Sequence, residues 1–264
     1  MEAFQVKQIR PGAYCMLDAD EDSFYLVEGK EKAAVIDTGI TQGGKILPQI
    51  RQLTDKPLVL ILTHAHIDHF HHMDEFDTVY MSHRELELDE ETLRFMMAGK
   101  ELDLEGTVDI VTGSRIDLGG RVLEICEVPG HTPGSVVIYD AQDDLLFTGD
   151  AIGSGCGVWM QLPHSSSLEA FEKSLRSFLS WLVERGGAME FWGGHSNQFD
   201  KSSQVPGYNP LSMGLLADLI DLVRKVRLGE IQGEVVEMAS NLQARQTRYA
   251  AFGRAEMLFN PDNL

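Results

Sequence analysis

Three imidazoles and a carboxylate fall within the six positions His64-Ala65-His66-Ile67-Asp68-His69. Neutral imidazole is the commonest metal ligand, and carboxylate joins it readily at zinc or iron. The apolar run Leu58-Val59-Leu60-Ile61-Leu62 stands directly before them, bounded by Pro57 and too short for a helix of its own, so it reads as a buried strand. In extended backbone beyond Leu62, His64 and His66 project to the same side. Asp68 and His69, on the turn that follows, face a second point close by. A solvated His-rich loop is the plain alternative, and the partners elsewhere in the chain decide against it. Pro129-Gly130-His131-Thr132-Pro133-Gly134, Thr148-Gly149-Asp150 and Gly193-Gly194-His195 each close an apolar strand with a glycine-bearing turn and a ligand-type residue. Together they give five histidines and two aspartates at strand ends. A structural zinc site needs only four protein ligands and no open position. Two divalent ions about 3.5–4 Å apart use roughly this larger set and leave room for water. The surplus points to a catalytic pair.

The elements that must position these residues are legible from periodicity. Residues 4–9 and 13–17 read as strands around Pro11-Gly12, and 23–27 with 33–36 as a hairpin across Glu28-Gly29-Lys30-Glu31. A helix over 44–53 leads to the strand at 58–62, which predicts parallel pairing through a right-handed crossover. A strand at 78–82 and a helix at 83–98 closed by Gly99 follow. Short strands are expected at 107–111, 121–128, 135–140 and 145–148. Leu168, Phe171, Leu175, Phe178 and Leu182 mark a helix over 167–185, with Ser166 and Glu169 as its capping box and Gly186-Gly187 as its stop. A strand at 189–192 precedes His195, and Leu215, Leu216, Leu219, Val223 and Val226 mark a second helix over 212–228 that packs in the core or forms a dimer contact. The tail holds a helix-compatible stretch and a last strand at 255–259. With no linker or repeat, the expectation is one α/β domain over 1–264: two mixed sheets face to face with helices outside, residues 201–264 completing it.

Composition narrows the partners. The net charge of −19 lacks the basic footprint that a nucleic-acid backbone requires. Cys15, Cys126 and Cys156 are scattered, without a CxxC pair, which suits a reducing compartment. The stretch Met1–Lys7 lacks the apolar segment of a signal peptide, and no run is long enough to span a bilayer. The expectation is a cytoplasmic protein acting on a small molecule, without nucleic-acid or membrane partners; a homodimer is left open.

The His64-x-His66-x-Asp68-His69 motif, the His131 turn, the Asp150 turn and the Gly194-His195 turn, in that order, resemble the metal motifs of the metallo-β-lactamase superfamily. The likeness reaches back to Asp37-Thr38-Gly39 and covers about residues 23 to 200. It implies a four-layer αββα sandwich and two divalent ions, zinc first, with iron or manganese as alternatives. His64, His66 and His131 would hold one ion; Asp68, His69 and His195 the other; Asp150 would bridge. Asp37 would touch no metal but orient the turn that carries the ligands. The implied reaction is hydrolysis of an ester, thioester or lactone by a water whose pKa the metals lower, with Asp68 orienting that water and moving a proton.

Other branches fit less well. The diiron flavoproteins carry a glutamate where His66 stands, and glyoxalase II usually has a histidine where Ser135 stands. A mononuclear iron oxygenase acting on a persulfide, and a metal-containing sensor without turnover, remain the alternatives. The segment 153–165 follows Asp150 and is expected to wall the substrate pocket, with Trp159, Met160 and Leu162 as its apolar surface, unless Trp159 and Leu162 merely anchor it to the core. His164 is a candidate substrate contact, and Tyr208 a candidate carbonyl-polarising hydroxyl, as in similar lactonases. Cys156 reads as a packing residue, His71 and His72 as solvated or helix-capping, and His83 as a helix-start residue.

Overall fold

Runs of short apolar segments broken by glycine turns build sheets, and here they build three. The computed structural model describes residues 4–41, 44–98, 106–154, 157–195, 211–237 and 246–264. Strands β1 (Phe4–Arg10), β2 (Ala13–Asp18), β3 (Ser23–Glu28), β4 (Ala33–Ile36), β5 (Leu58–Ile61), β6 (Val79–Met81) and β7 (Val108–Asp109) lie in chain order in one sheet. Tight turns pair β1 to β4 antiparallel, whereas β4 to β7 pair parallel. Parallel neighbours need crossovers, and these carry the short helices α1 (Leu47–Ile50), α2 (Ile67–Phe70) and α3 (Glu90–Met96).

The second sheet is formed by β8 (Arg115–Asp117), β9 (Val122–Glu127), β10 (Val136–Asp140) and β11 (Leu145–Gly149). After β12 (Val158–Met160) and α4 (Leu168–Arg185) it gains β13 (Glu190–Gly193), which lies parallel to β11 and gives the order β13-β11-β10-β9-β8. Helix α5 (Met213–Arg227) follows, then β14 (Glu234–Val236), β15 (Thr247–Phe252) and β16 (Ala255–Phe259). These three join β12 in a four-stranded sheet of order β12-β16-β15-β14.

The period of two along each strand sorts side chains into layers. Tyr25, Val27, Ile36 and Ile61 of the first sheet meet Leu123, Ile125, Ile138 and Phe147 of the second. Their neighbours Phe24, Leu26, Val35 and Leu60 face the other way, towards Phe70, Met73 and Met96. On the far side, Val137, Tyr139 and Leu146 pack under Phe171, Leu175 and Phe178 of α4 and Leu216 and Leu219 of α5. The result is the four-layer αββα sandwich, with the small third sheet beside α4 and α5. Among the described residues no helix is long and apolar enough to cross a membrane.

Several local expectations change. The helix over 44–53 shrinks to the single turn of α1, where Pro48 sits at the helix start and the Glu75 carboxylate accepts the N–H groups of Ile46 and Leu47 at 3.0 and 3.1 Å. The helix over 83–98 splits into a 3-10 turn, His83–Glu87, and α3, because Asp89 accepts Thr92 N–H at 3.0 Å and so caps a new start; Gly99 lies outside the described residues. Helix α4 is capped one residue later than its sequence suggests. Ser167 accepts Ala170 N–H at 3.2 Å, while Glu169 reaches Arg227 at 3.2 Å rather than closing a capping box. The helix-compatible tail is a β-meander in its described parts, with β-branched and aromatic residues turning at Gly253 (φ +60°). Strand β12 arises within the expected loop, paired parallel with β16. Helix α5 buries Leu215, Leu216, Leu219, Val223 and Val226, so its apolar face is core packing.

The two large sheets are tied at both edges. At one, Arg121 is buried and spans the layers: its Nη1 donates to the carbonyls of Gly12 and Glu28 at 3.4 and 3.3 Å, its Nε to Asp140 at 3.1 Å and its Nη2 to Asp143 at 2.7 Å. At the other, Val136 N–H donates to Thr63 O at 2.9 Å and Ser23 N–H to Gly194 O at 2.7 Å. Close to this second edge the fully buried Glu85 accepts the Thr132 hydroxyl and faces the backbone amides of Ala65 and Gly134.

Burial pushes the Glu85 carboxyl from 4.5 up to about 7, against those hydrogen bonds. Between the two values the folded chain keeps a proton that the unfolded chain has released. Stability therefore falls as pH rises through that window, by on the order of 3 kcal/mol in total. Glu85→Gln should remove this contribution, and denaturant melts of the two proteins at pH 5 and pH 8 check it: the variant's stability changes less between them.

Candidate metal centre

The strand ends dictate where the polar side chains gather. β4 and β5 run parallel, as do β11 and β13, and β9 is antiparallel to β10, which is antiparallel to β11. The turns after β4, β5, β9, β11 and β13 carry Asp37, the His64–His69 cluster, His131, Asp150 and His195, and all meet at one edge.

The first group is His64, His66 and His131. His66 Nδ1 lies 3.0 Å from both His64 Nε2 and His131 Nε2. The outer hydrogen bonds fix two of the three tautomers. His131 Nδ1 is 2.8 Å from the Trp159 carbonyl, which can only accept, so Nδ1 carries the proton and Nε2 is bare. Thr63 Oγ1 gives its one proton to Asp37 at 2.8 Å, so it accepts from His64 Nδ1 at 3.1 Å and leaves His64 Nε2 bare. Burial, then neighbouring imidazoles, hold His64 and His66 well below the usual histidine range, and burial lowers His131. Neutral, converging lone pairs repel one another unless a cation lies among them.

The second group is Asp68, His69 and His195, with His64, His69 and Asp150 as an overlapping third. His69 Nε2 is buried without a hydrogen-bond partner among the described residues, 3.6 Å from Asp68 and 3.9 Å from Asp150. His195 Nε2 lies 3.5 Å from Asp68 and 3.3 Å from Asp150. Asp150 Oδ2 is also 3.8 Å from His131 Nε2, and so reaches both groups. Burial opposes charge on His69, but Asp68, Asp37 and Asp150 outweigh it and hold its pKa up to about 9. The same contest, with Asp150 and Asp22, leaves His195 well above its ordinary value. A proton on either Nε2 occupies the lone pair that a cation would share. An orphaned buried nitrogen, bare imidazoles and carboxylates within reach are a donor set suited to divalent metal.

The supporting shell is only partly legible in the sequence. Asp37 accepts Thr63 N–H and Oγ1–H at 2.8 Å each and His69 Nδ1–H at 2.9 Å, from a left-handed backbone (φ +59°) that a non-glycine residue holds only under constraint. Asp22 accepts His195 Nδ1–H at 2.7 Å, and Ser154 donates to Asp150 at 2.8 Å. Neither carries a sequence signal: Asp22 sits in an acidic run and Ser154 among glycines. Gly194 is required by space, since a Cβ there would stand 2.4 Å from Asp150 Oδ1 and 2.7 Å from His69 Cε1.

A cavity of about 530 Å³ opens onto the edge, with His66, Asp68, His131, Asp150 and His195 on one side and Ile67, Phe95, Met96, Trp159 and Leu162 on the other. Trp159 and Leu162 line it as expected. Met160 does not: it is two residues from Val158 on the buried face of β12. Helix α3, to which the sequence assigned no site residue, supplies Phe95 and Met96. His164 is buried and bonded to His66 rather than lining the cavity, and burial pushes its pKa down to about 3. His72 is held between Thr41 O and Glu75 at 3.1 and 3.0 Å, and His83 bonds Thr107 at 3.0 Å. Tyr208 and Cys156 lie outside the described residues.

Sandwich and site together define a metallohydrolase-type α/β architecture. The chain belongs to the metallo-beta-lactamase superfamily, whose family model matches residues 18–180. It is similar to the acyl-coenzyme A thioesterase MBLAC2 of Homo sapiens, 30% identical over a 211-position alignment that covers 67% of this chain and 74% of that protein. Among solved structures it resembles a metallo-beta-lactamase from Pontibacter korlensis (TM-score 0.60, 19% identity, 84% of this chain and 99% of that one). It also resembles TTHA1623 in a di-iron-bound form (TM-score 0.52, 28% identity, 66% of this chain and 87% of that one).

Asp37→Asn keeps the shape but loses the charge that orients His69 and Thr63. Metal affinity should fall on the order of 10–100-fold, which a competition titration against a chromogenic chelator checks.

Proposed function

We propose that this chain is a metal-dependent hydrolase that cleaves an acyl thioester of a small molecule, with esters and lactones as the neighbouring substrate classes. The single observation that carries the reading is the convergence of His64, His66 and His131, each pair of nitrogens about His66 at 3.0 Å, beside an open, half-apolar cavity. The similarity to a thioesterase supports the choice of bond.

In this reading His64, His66 and His131 hold one ion, Asp68, His69 and His195 a second, and Asp150 lies between them. Zinc is the first choice, and the di-iron relative keeps iron, with manganese, as an alternative. Bound there, the pair supplies an activated water near neutral pH and a Lewis acid for a carbonyl oxygen. The residues supply the rest. Asp68, 28% exposed at its side chain and facing the cavity, orients the attacking water and takes up its proton. Asp22 and Asp37 hold His195 and His69 with their Nε2 atoms towards the site. Phe95, Met96, Trp159 and Leu162 receive the acyl group and exclude bulk water from the reacting carbonyl.

Elemental analysis should find two divalent ions per chain, and a panel of acyl thioesters, esters, lactones and phosphodiesters should show turnover of the first group. Asp68→Ala should lower kcat/KM by on the order of 10²–10⁴-fold. A metal-loaded protein that turns over none of the first three classes, or holds one iron and takes up oxygen with a persulfide, ends the proposal. Phe95→Ala should cost octanoyl thioesters on the order of 10-fold in kcat/KM while sparing acetyl ones; equal losses on both would remove Phe95 from the acyl wall.

A further inference from the structure

Two of the three outer nitrogens of the first histidine group are held by one short stretch of chain. His131 Nδ1 donates to the carbonyl of Trp159, and His66 Nε2 lies 2.8 Å from His164 Nε2. Trp159 belongs to β12, and His164 follows it by a few residues. Ser165 continues the pattern, donating from Oγ to His131 O at 2.9 Å. The same stretch puts Trp159 and Leu162 into the cavity wall.

The contact between two imidazole nitrogens must have a direction, because one donates and the other accepts. His66 Nδ1 is the atom that faces His64 Nε2 and His131 Nε2. If Nδ1 is to offer a lone pair there, the single proton of neutral His66 sits on Nε2. His164 Nε2 then accepts it, and the proton of neutral His164 sits on Nδ1. That Nδ1 is buried and has no hydrogen-bond partner among the described residues. A buried polar nitrogen without a partner is a cost, and leucine or phenylalanine would avoid it at this position. Among the described residues, the one polar contact that His164 makes is the one to His66.

We propose that His164 is a positioning residue, which accepts the Nε2 proton of His66 and so aims His66 Nδ1 at the first metal position. The inference rests on the metal-centre reading above and adds to it that the pocket-wall segment sets the tautomer of one ligand. Substrate wall and metal are then joined through two residues, Trp159 by its carbonyl and His164 by its ring.

Three variants separate this role from packing. His164→Phe and His164→Leu fill the space without an acceptor; His164→Gln offers its Oε1 where Nε2 stood. Zinc binding is measured by competition with a chromogenic chelator, on protein whose melting shows it folded. The first two variants should bind zinc on the order of 10–100-fold more weakly, and His164→Gln should stay close to wild type. Nitrogen-15 NMR of the histidine rings in the zinc-loaded wild type gives a readout separate from affinity, with the His66 proton expected on Nε2 and the His164 proton on Nδ1. His66 protonated on Nδ1, equal zinc affinity in all variants, or a glutamine variant as weak as phenylalanine overturns the proposal while leaving the metal centre standing. A wild type that takes up no zinc, iron or manganese removes the metal centre and this role with it.

Discussion

Two sheets pressed face to face, each also covered on its outer side, leave no strand interior where a polar side chain can sit without cost. Tyr25, Ile36, Ile61, Ile125, Ile138 and Phe147 fill the middle, and Phe24, Val35, Val137 and Leu146 the outer layers. The imidazoles and carboxylates of the candidate site stand at strand ends instead, and parallel pairing of β4 with β5 and β11 with β13 brings several ends to the same edge. The packing of the middle layers sets the spacing of the ligands. Distances of 3.0 Å between histidine nitrogens from distant parts of the chain follow from it.

Much of this was readable in the sequence, and for definite reasons. The glycine-bearing turns at His131, Asp150 and His195 announce close backbone approach, and a Cβ at Gly194 would indeed collide with Asp150. Strands buried on both faces show as continuous apolar runs, as in Leu58–Leu62. What escaped depended on contacts between remote segments. Asp22 looks like one more acid in an acidic stretch until the fold puts it against His195. β12 is three residues long and exists because β16 lies alongside. No residue of α3 carries a sequence signal for the site, and only the tertiary arrangement brings Phe95 and Met96 to the cavity. The splitting of the 83–98 segment turned on Asp89, whose capping of Thr92 outweighs the propensity of the longer run.

The electrostatics divide the edge in two. His64, His66 and His131 are kept neutral by burial and by each other, whereas His69 and His195 are drawn towards charge by Asp68, Asp150, Asp37 and Asp22. One half is a nest of lone pairs and the other a balance of acid and base. That asymmetry makes the two halves of the edge chemically distinct, within a chain whose net charge of −19 attracts cations generally.

The clasp made by Arg121 bears on how the protein lives without its ions. It joins the Gly12 and Glu28 carbonyls of one sheet to Asp140 and Asp143 of the other, away from the histidines and independent of them. With that bond set and an apolar interior between them, the register of the two halves rests on contacts that involve no histidine of the edge. Small zinc domains collapse when stripped. Here the clasp and the apolar interior lie apart from the histidine edge, so the arrangement of the candidate site is a product of the sandwich's own packing.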